Sequence, residues 1–148
     1  MKKILLLCIG LLMISNVRAQ LKHSKATDGT VTLTLQQTGD LSSGYNQLPQ
    51  DVKDATKMVV ITQSGAQISS EDVKFLFGDW TNPNRFPNIV KLDLENARFT
   101  NDADLQWLGL MSKLEYLTFS KTTKEVPQQC LVGKKNNCIK EVVFPANP

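Results

Sequence analysis

Five short segments of this chain repeat one pattern, two apolar residues flanking a single other residue, and this repetition constrains the fold more than any other feature. In the clearest segment two leucines alternate with polar residues: Lys91, Leu92, Asp93, Leu94 and Glu95. Period-two alternation is typical of a strand with one buried face. A further apolar residue, Phe99, follows five positions after the second leucine, so the chain is expected to turn a corner and return to the core.

The five segments recur at nearly constant spacing. When the first apolar residue of each segment is aligned, the steps are 26, 33, 25 and 25 residues, and the aligned residues are Leu33, Val59, Leu92, Leu117 and Val142. Leucine-rich repeats have periods of about 20–29 residues with the pattern L-x-x-L-x-L. The long step contains a loop over residues 79–87 that is rich in proline and asparagine. The sequence therefore predicts an α/β leucine-rich-repeat solenoid over residues 29–148, with a parallel β-sheet on one face and short helices, 3-10 turns and loops on the other.

The last segment carries a more specific resemblance. Residues 126–133 and 138–145, VPQQCLVG and CIKEVVFP, resemble the I-P-x-x-A-F-x-G-C-x-x-L-x-x-V-x-L-P pattern of BspA-like leucine-rich repeats. Cys130 stands where that family favours alanine, and Leu131 replaces phenylalanine. The resemblance implies a secreted or surface protein of Bacteroidetes-type bacteria that binds proteins or host surfaces in adhesion, with no catalytic residues.

The first 19 residues have the features of a secretory signal peptide. A basic start, Lys2–Lys3, precedes an apolar run over residues 4–14 and a small-residue exit that ends at Ala19. The apolar run is shorter than the roughly 20 residues that a membrane span needs, which disfavours a membrane anchor, and Cys8 lies too far inside the run for a lipoprotein site. We expect cleavage between Ala19 and Gln20, a flexible mature N-terminus at 20–28, no stable membrane span, and a secreted, periplasmic or cell-surface location.

The net charge of +3 belongs to this signal. The whole chain has 17 lysines and arginines against 14 acids. Lys2, Lys3 and Arg18 leave with residues 1–19 and no acid does, so the remaining chain is balanced at 14 against 14. Bulk charge therefore gives no support for nucleic-acid binding.

The residues between the apolar ones predict a binding face. In a parallel sheet they point away from the core and form rows across neighbouring strands. Tyr116 is the expected anchor, since tyrosine is enriched at the centres of protein interfaces. The alternative is an ordinary solvated sheet face on which Lys91 simply balances Asp93 and Glu95. The predicted face consists of Met58, Val60, Lys91, Asp93, Glu95, Tyr116, Thr118 and Glu141.

The cysteines, the histidine and the clustered acids of the chain give no strong signal for a catalytic or metal site. Cys130 and Cys138 form either a disulfide or two separate thiols, because spacing alone does not fix their geometry. The single histidine, His23, lies in the N-terminal segment, away from any nucleophile on a packed scaffold. The four acids Asp93, Glu95, Asp102 and Asp104 are divided between a strand and a helix cap. We therefore predict no catalytic residues, cofactor or metal site.

Local signals place one helix between the second and third segments. Ser69 and Asp72 have the spacing of a capping box, and Val73, Leu76 and Phe77 share one helical face. Gly78 suits the helix end. Trp80 and Phe86, in the loop that follows, are expected to pack against the edge of the repeats.

The predicted function is non-catalytic binding of a protein ligand or a host surface component. One alternative is a capping or assembly unit related to a longer repeat array, which would form a homo-oligomer through an open C-terminal edge. The other is a secreted hydrolase or metal-dependent enzyme on a repeat scaffold, in which loss of activity with Asp93 or Asp102 would be expected.

Overall fold

The computed structural model describes residues 21–130 and 139–145, which form one mixed α/β sheet structure. The strands lie side by side in chain order: β1 (Lys22–Lys25), β2 (Val31–Leu35), β3 (Lys57–Thr62), β4 (Lys91–Asp93), β5 (Tyr116–Thr118) and β6 (Glu141–Val143). β1 pairs antiparallel with β2, and every later pair is parallel. The prediction of an α/β fold with a mainly parallel sheet is confirmed.

The helices lie between the strands and are short. They are α1 (Asp40–Gly44), a 3-10 helix (Tyr45–Gln47), α2 (Gln50–Lys53), α3 (Ser70–Leu76) and a second 3-10 helix (Asp102–Leu110). Parallel strands need a connection long enough to bring the chain back to the same end of the sheet, and these helices occupy those connections. The predicted capping box is confirmed, since Ser69 and Asp72 make both of its reciprocal hydrogen bonds at the start of α3.

Two inward rows of apolar side chains form the core of the sheet. The strand register joins Val31, Met58, Leu92, Leu117 and Val142 in the first row. Leu33 and Val60 pair in the second row, and Leu94 and Phe119 occupy the equivalent positions two residues further along their segments. All of these side chains except Val142 are buried. Burial of the inward face of β2, β3, β4 and β5 stabilises the fold in the way that the alternating pattern predicts.

The N-terminal segment differs from its prediction. Residues 20–28 are predicted to be flexible, whereas Lys22–Lys25 form β1 and pair residue by residue with Val31–Thr34. The strand is joined to the core by Leu21, which is 4% exposed and packs so closely on Gly44 that a Cβ there would lie 2.7 Å from the leucine Cβ. The signal peptide and its cleavage site lie outside the described residues.

The loop after α3 also departs from expectation at one residue. Phe86 is fully buried, as predicted, but Trp80 is 64% exposed and meets Trp107 edge-to-face at 5.5 Å. Asp79 holds the first turn of this loop, because its carboxylate accepts hydrogen bonds from the Thr81 hydroxyl and from the backbone N–H groups of Thr81 and Asn82. These hydrogen bonds lower the pKa of Asp79 to about 2.

Candidate binding face of the sheet

The outward side chains of four parallel strands form one row across the sheet. Backbone register places Lys57, Lys91, Tyr116 and Glu141 side by side. A second row contains Val59, Asp93, Thr118 and Val143. Neighbouring strands lie about 4.8 Å apart, so residues in one row are close enough for a single ligand to contact several of them. The structure therefore brings together five predicted face residues: Lys91, Asp93, Tyr116, Thr118 and Glu141.

The predicted outward placement is wrong for two of the face residues. Met58 is 1% exposed and Val60 is 0% exposed, so both belong to the core. The error is a register slip: Val59 is aligned with Leu92 in the sequence, whereas Met58 pairs with Leu92 in the sheet. A slip of one residue moves every side chain of a strand to the opposite face. Val59 and Ile61, both half-buried, replace them as the outward apolar residues of β3.

Tyr116 lies at the centre of the first row with its ring half-buried. The ammonium group of Lys140 lies 6.0 Å from the ring centroid and also pairs with the Glu115 carboxylate at 2.7 Å. A cation over an aromatic face is attracted to the ring electrons, and the ion pair limits where this lysine can move. Tyr116 therefore presents a half-buried ring beside a cation.

The charges beside Tyr116 are not balanced in the way that the solvated-face alternative requires. Lys57 and Lys91 are direct cross-strand neighbours, and like charges in that position repel. Lys57 has a distant ion pair with Asp28 at 3.8 Å, and Lys91 has no ion-pair partner within residues 21–130 and 139–145. Glu95 pairs with Lys121 at 2.9 Å instead, and Asp93 accepts a hydrogen bond from the Glu95 backbone. Tyr116 thus has two lysines on one side of it in the row and one acid, Glu141, on the other.

Only one of the two cysteines, Cys130, lies within the described residues. Cys130 is 1% exposed, and burial raises the pKa of its thiol. Cys138 lies outside the described residues. The disulfide between them stays a prediction.

The acids considered for metal binding have separate structural contacts. Asp102 accepts the backbone N–H of Lys124 at 2.9 Å, and Asp104 accepts the Ser70 hydroxyl at 2.7 Å. In the described part of the chain, no three histidine, cysteine or acidic side chains are grouped in a way that could hold a metal ion. His23 lies on β1 with its side chain exposed. None of the helices that the structure describes combines the length and apolar character needed to cross a membrane.

Comparison with known proteins adds no relative: no protein-family model, curated protein or solved structure matches this chain. The proposed function therefore rests on the fold and surfaces of the chain itself.

Proposed function

We propose that this chain is a secreted or surface-located leucine-rich-repeat solenoid of the BspA-like kind, which binds another protein through the outward face of its sheet and catalyses no reaction. The observation that carries the binding proposal is the row Lys57–Lys91–Tyr116, in which two adjacent lysines meet a half-buried aromatic ring. The ligand is a protein, bacterial or from a host surface, that presents carboxylates around an apolar contact.

The sheet geometry supports the repeat interpretation. The five segments pair in parallel in chain order, and each contributes one apolar residue to the same inward row. The apolar residues that follow β2, β3 and β4 also return to the core, since Leu41, Ile68 and Phe99 are all buried, whereas Val126, after β5, is 37% exposed. A parallel strand with a returning apolar residue in each unit is the physical unit of a leucine-rich repeat.

Electrostatic cost supports a ligand at this row. Adjacent lysines on neighbouring strands destabilise the folded chain slightly, and Lys91 forms no ion pair within the described ranges. An acidic partner would remove this repulsion and speed encounter through long-range attraction. Tyrosine at the centre of such a patch contributes apolar contact area, and its hydroxyl contributes a polar contact.

Substitution of the row is expected to abolish partner capture. The mature chain, residues 20–148, is immobilised and exposed to a bacterial surface fraction and to host extracellular-matrix proteins, and bound proteins are quantified by mass spectrometry. The double variant Tyr116→Ala, Lys91→Gln should reduce capture of a specific partner about tenfold or more, because loss of one anchor commonly costs about 2 kcal/mol.

The matched control removes one lysine charge and one large polar side chain elsewhere. Lys74 and Gln106 are exposed on α3 and on the second 3-10 helix, so Lys74→Gln, Gln106→Ala should leave capture unchanged. Equal capture by both double variants and the natural chain would rule out the sheet row as the binding surface.

A second candidate function, assembly with another copy of the chain, is favoured by the β6 edge. Phe144 is 62% exposed and Val143 is 41% exposed, although Phe144 stacks at 4.9 Å on the buried ring of Phe119. β6 is the edge strand opposite β1 in the described sheet. No described strand pairs with the outer edge of β6, and a strand edge with apolar side chains is a template for pairing with another strand. The side chains of β1, at the other edge, are all exposed and include two lysines.

Assembly through β6 predicts a concentration-dependent mass. Light scattering after size exclusion should detect dimers of residues 20–148 at high concentration, and Val143→Lys, Phe144→Asp should convert them to monomers because charges on an edge strand oppose pairing. The control Lys22→Glu, on β1, should not change the mass. A strict monomer at every concentration would exclude this candidate.

A further inference from the structure

The segments that follow β3 and β4 form a second, very short parallel pair. Ile68 bridges to Phe99, with its N–H donating to the Arg98 carbonyl at 2.7 Å. The Ile68 carbonyl in turn accepts the N–H of Thr100 at 3.0 Å. Both of these hydrogen bonds are made by Arg98 and Thr100, the residues on either side of Phe99. The backbone N–H and C=O of Phe99 itself therefore point away from Ile68.

The outer side of this pair is unoccupied by any described strand. The Phe99 N–H and C=O have no hydrogen-bond partner in the described ranges. Phe99 lines an open cleft of about 460 Å³, whose far wall includes Thr122 and Lys124. Unpaired backbone groups at a strand edge are the recognition element in β-augmentation, where an extended peptide adds as the next strand.

The cleft is positively charged. Its walls carry Arg98 and Lys124, together with the polar side chains of Gln67, Thr100 and Thr122. Neither cation has an ion-pair partner in the part of the chain that the structure describes. The one acid in the wall, Asp102, is already held by the backbone N–H of Lys124. A ligand carboxylate would therefore meet two available cations.

A neighbouring cleft extends this site in one direction. It measures about 450 Å³ and shares Asn101, Asp102 and Lys124 with the first cleft. Its lining adds one acid, Glu125, and its far end is formed by Val126, which is 37% exposed, and by Pro127. The combined surface offers backbone pairing, then a charge site, then an apolar contact.

We propose that this double cleft binds an extended segment of another protein that carries one acidic residue, and that this segment adds as a strand beside Phe99. A glutamate or aspartate of the segment contacts Arg98 and Lys124, and a neighbouring apolar side chain of the segment contacts Val126 and Pro127. The site shares no residue with the sheet row, so it stands or falls separately from the function proposed above.

The test uses a defined probe. A blocked heptapeptide of serine, threonine and valine with one central glutamate is titrated into ¹⁵N-labelled mature chain. We expect saturable shifts of the Phe99 amide and of the Arg98 and Lys124 amides, with a Kd of about 1 mM, as for short peptides with few contacts. The same peptide with glutamine in place of glutamate should bind about tenfold more weakly.

Two further comparisons separate backbone pairing from simple charge attraction. A peptide N-methylated at the residues flanking the glutamate cannot donate to a strand edge and should lose binding. The double variant Arg98→Gln, Lys124→Gln should weaken binding of the parent peptide about tenfold, while Lys22→Gln, an exposed lysine of β1, should not. Absence of shifts at Phe99, or equal binding of the N-methylated peptide, would overturn the proposal.

Discussion

Replacing Asp72 by alanine is expected to lower the free energy of unfolding by about 3 kcal/mol, because this buried carboxylate joins the starts of two helices. One oxygen accepts the Ser42 N–H at 2.8 Å. The other accepts the N–H groups of Gly39 and Ser69, each at 3.0 Å. Truncation leaves these donors without their acceptor in a site where the residue is fully buried, and each such loss costs about 1–3 kcal/mol.

The loss should appear in urea unfolding of residues 20–148 as a lower midpoint with an unchanged slope, and as a melting temperature lower by about 10 °C. The neighbouring acid provides the control. Glu71 is exposed and pairs only with Lys74 on the surface of α3, so Glu71→Ala should cost about 0.5 kcal/mol. If the two variants were equally stable, the hydrogen bonds of Asp72 to Gly39 and Ser42 would contribute nothing to the stability of the fold.

The sequence predicted only half of this contact. The capping box at Ser69 and Asp72 follows from residue type and spacing. The hydrogen bonds from Gly39 and Ser42 join residues that are 33 and 30 positions apart from Asp72. Such contacts depend on how one connection packs against the next, and no periodicity in the chain encodes that distance.

The strands, too, are predicted only in part from the sequence. Alternation predicts the buried face of β2 and of the β4 segment correctly, because Leu33, Leu35, Leu92 and Leu94 are all fully buried. The predicted alignment of Leu33 with Leu92 is wrong, since Val31 shares the row of Leu92 and Leu33 pairs with Val60 in the next row. β3 contains four consecutive apolar residues, Met58 to Ile61, and a continuous apolar run does not reveal which residues face inward. The one available signal was Lys57: if this lysine points outward, Val59 and Ile61 must do so too.

β1 and the cleft beside Phe99 are not predictable from the sequence, for a different reason. All four side chains of β1 are exposed, so burial leaves no pattern in its sequence, and its pairing with β2 comes from backbone hydrogen bonds. The cleft depends on the unpaired N–H and C=O of Phe99, which was predicted from sequence only as a core residue. Backbone groups have no sequence signature, since every non-proline residue carries them.

Gly78→Ala is the second substitution with a large expected effect, about 3 kcal/mol of lost stability. Gly78 follows α3 with a φ of +88°, where an L-residue is strained by about 1–2 kcal/mol. Space is lacking as well: an added Cβ would lie 2.7 Å from the Asn84 nitrogen and 2.9 Å from the Asn82 oxygen. Both are backbone atoms, so relief requires the loop that holds Asp79 and Pro83 to move.

Gly65→Ala separates strain from crowding. Gly65 has a similar φ of +84°, but an added Cβ would meet nothing within 4 Å, so this substitution should cost only the conformational strain, about 1 kcal/mol. Urea unfolding of both variants measures the difference. A large gap between them means that the close approach of residues 82–84 to Gly78 holds the loop against α3. Equal costs would show that the loop shifts freely, and that Phe86, which the same loop buries, is secured by its own packing alone.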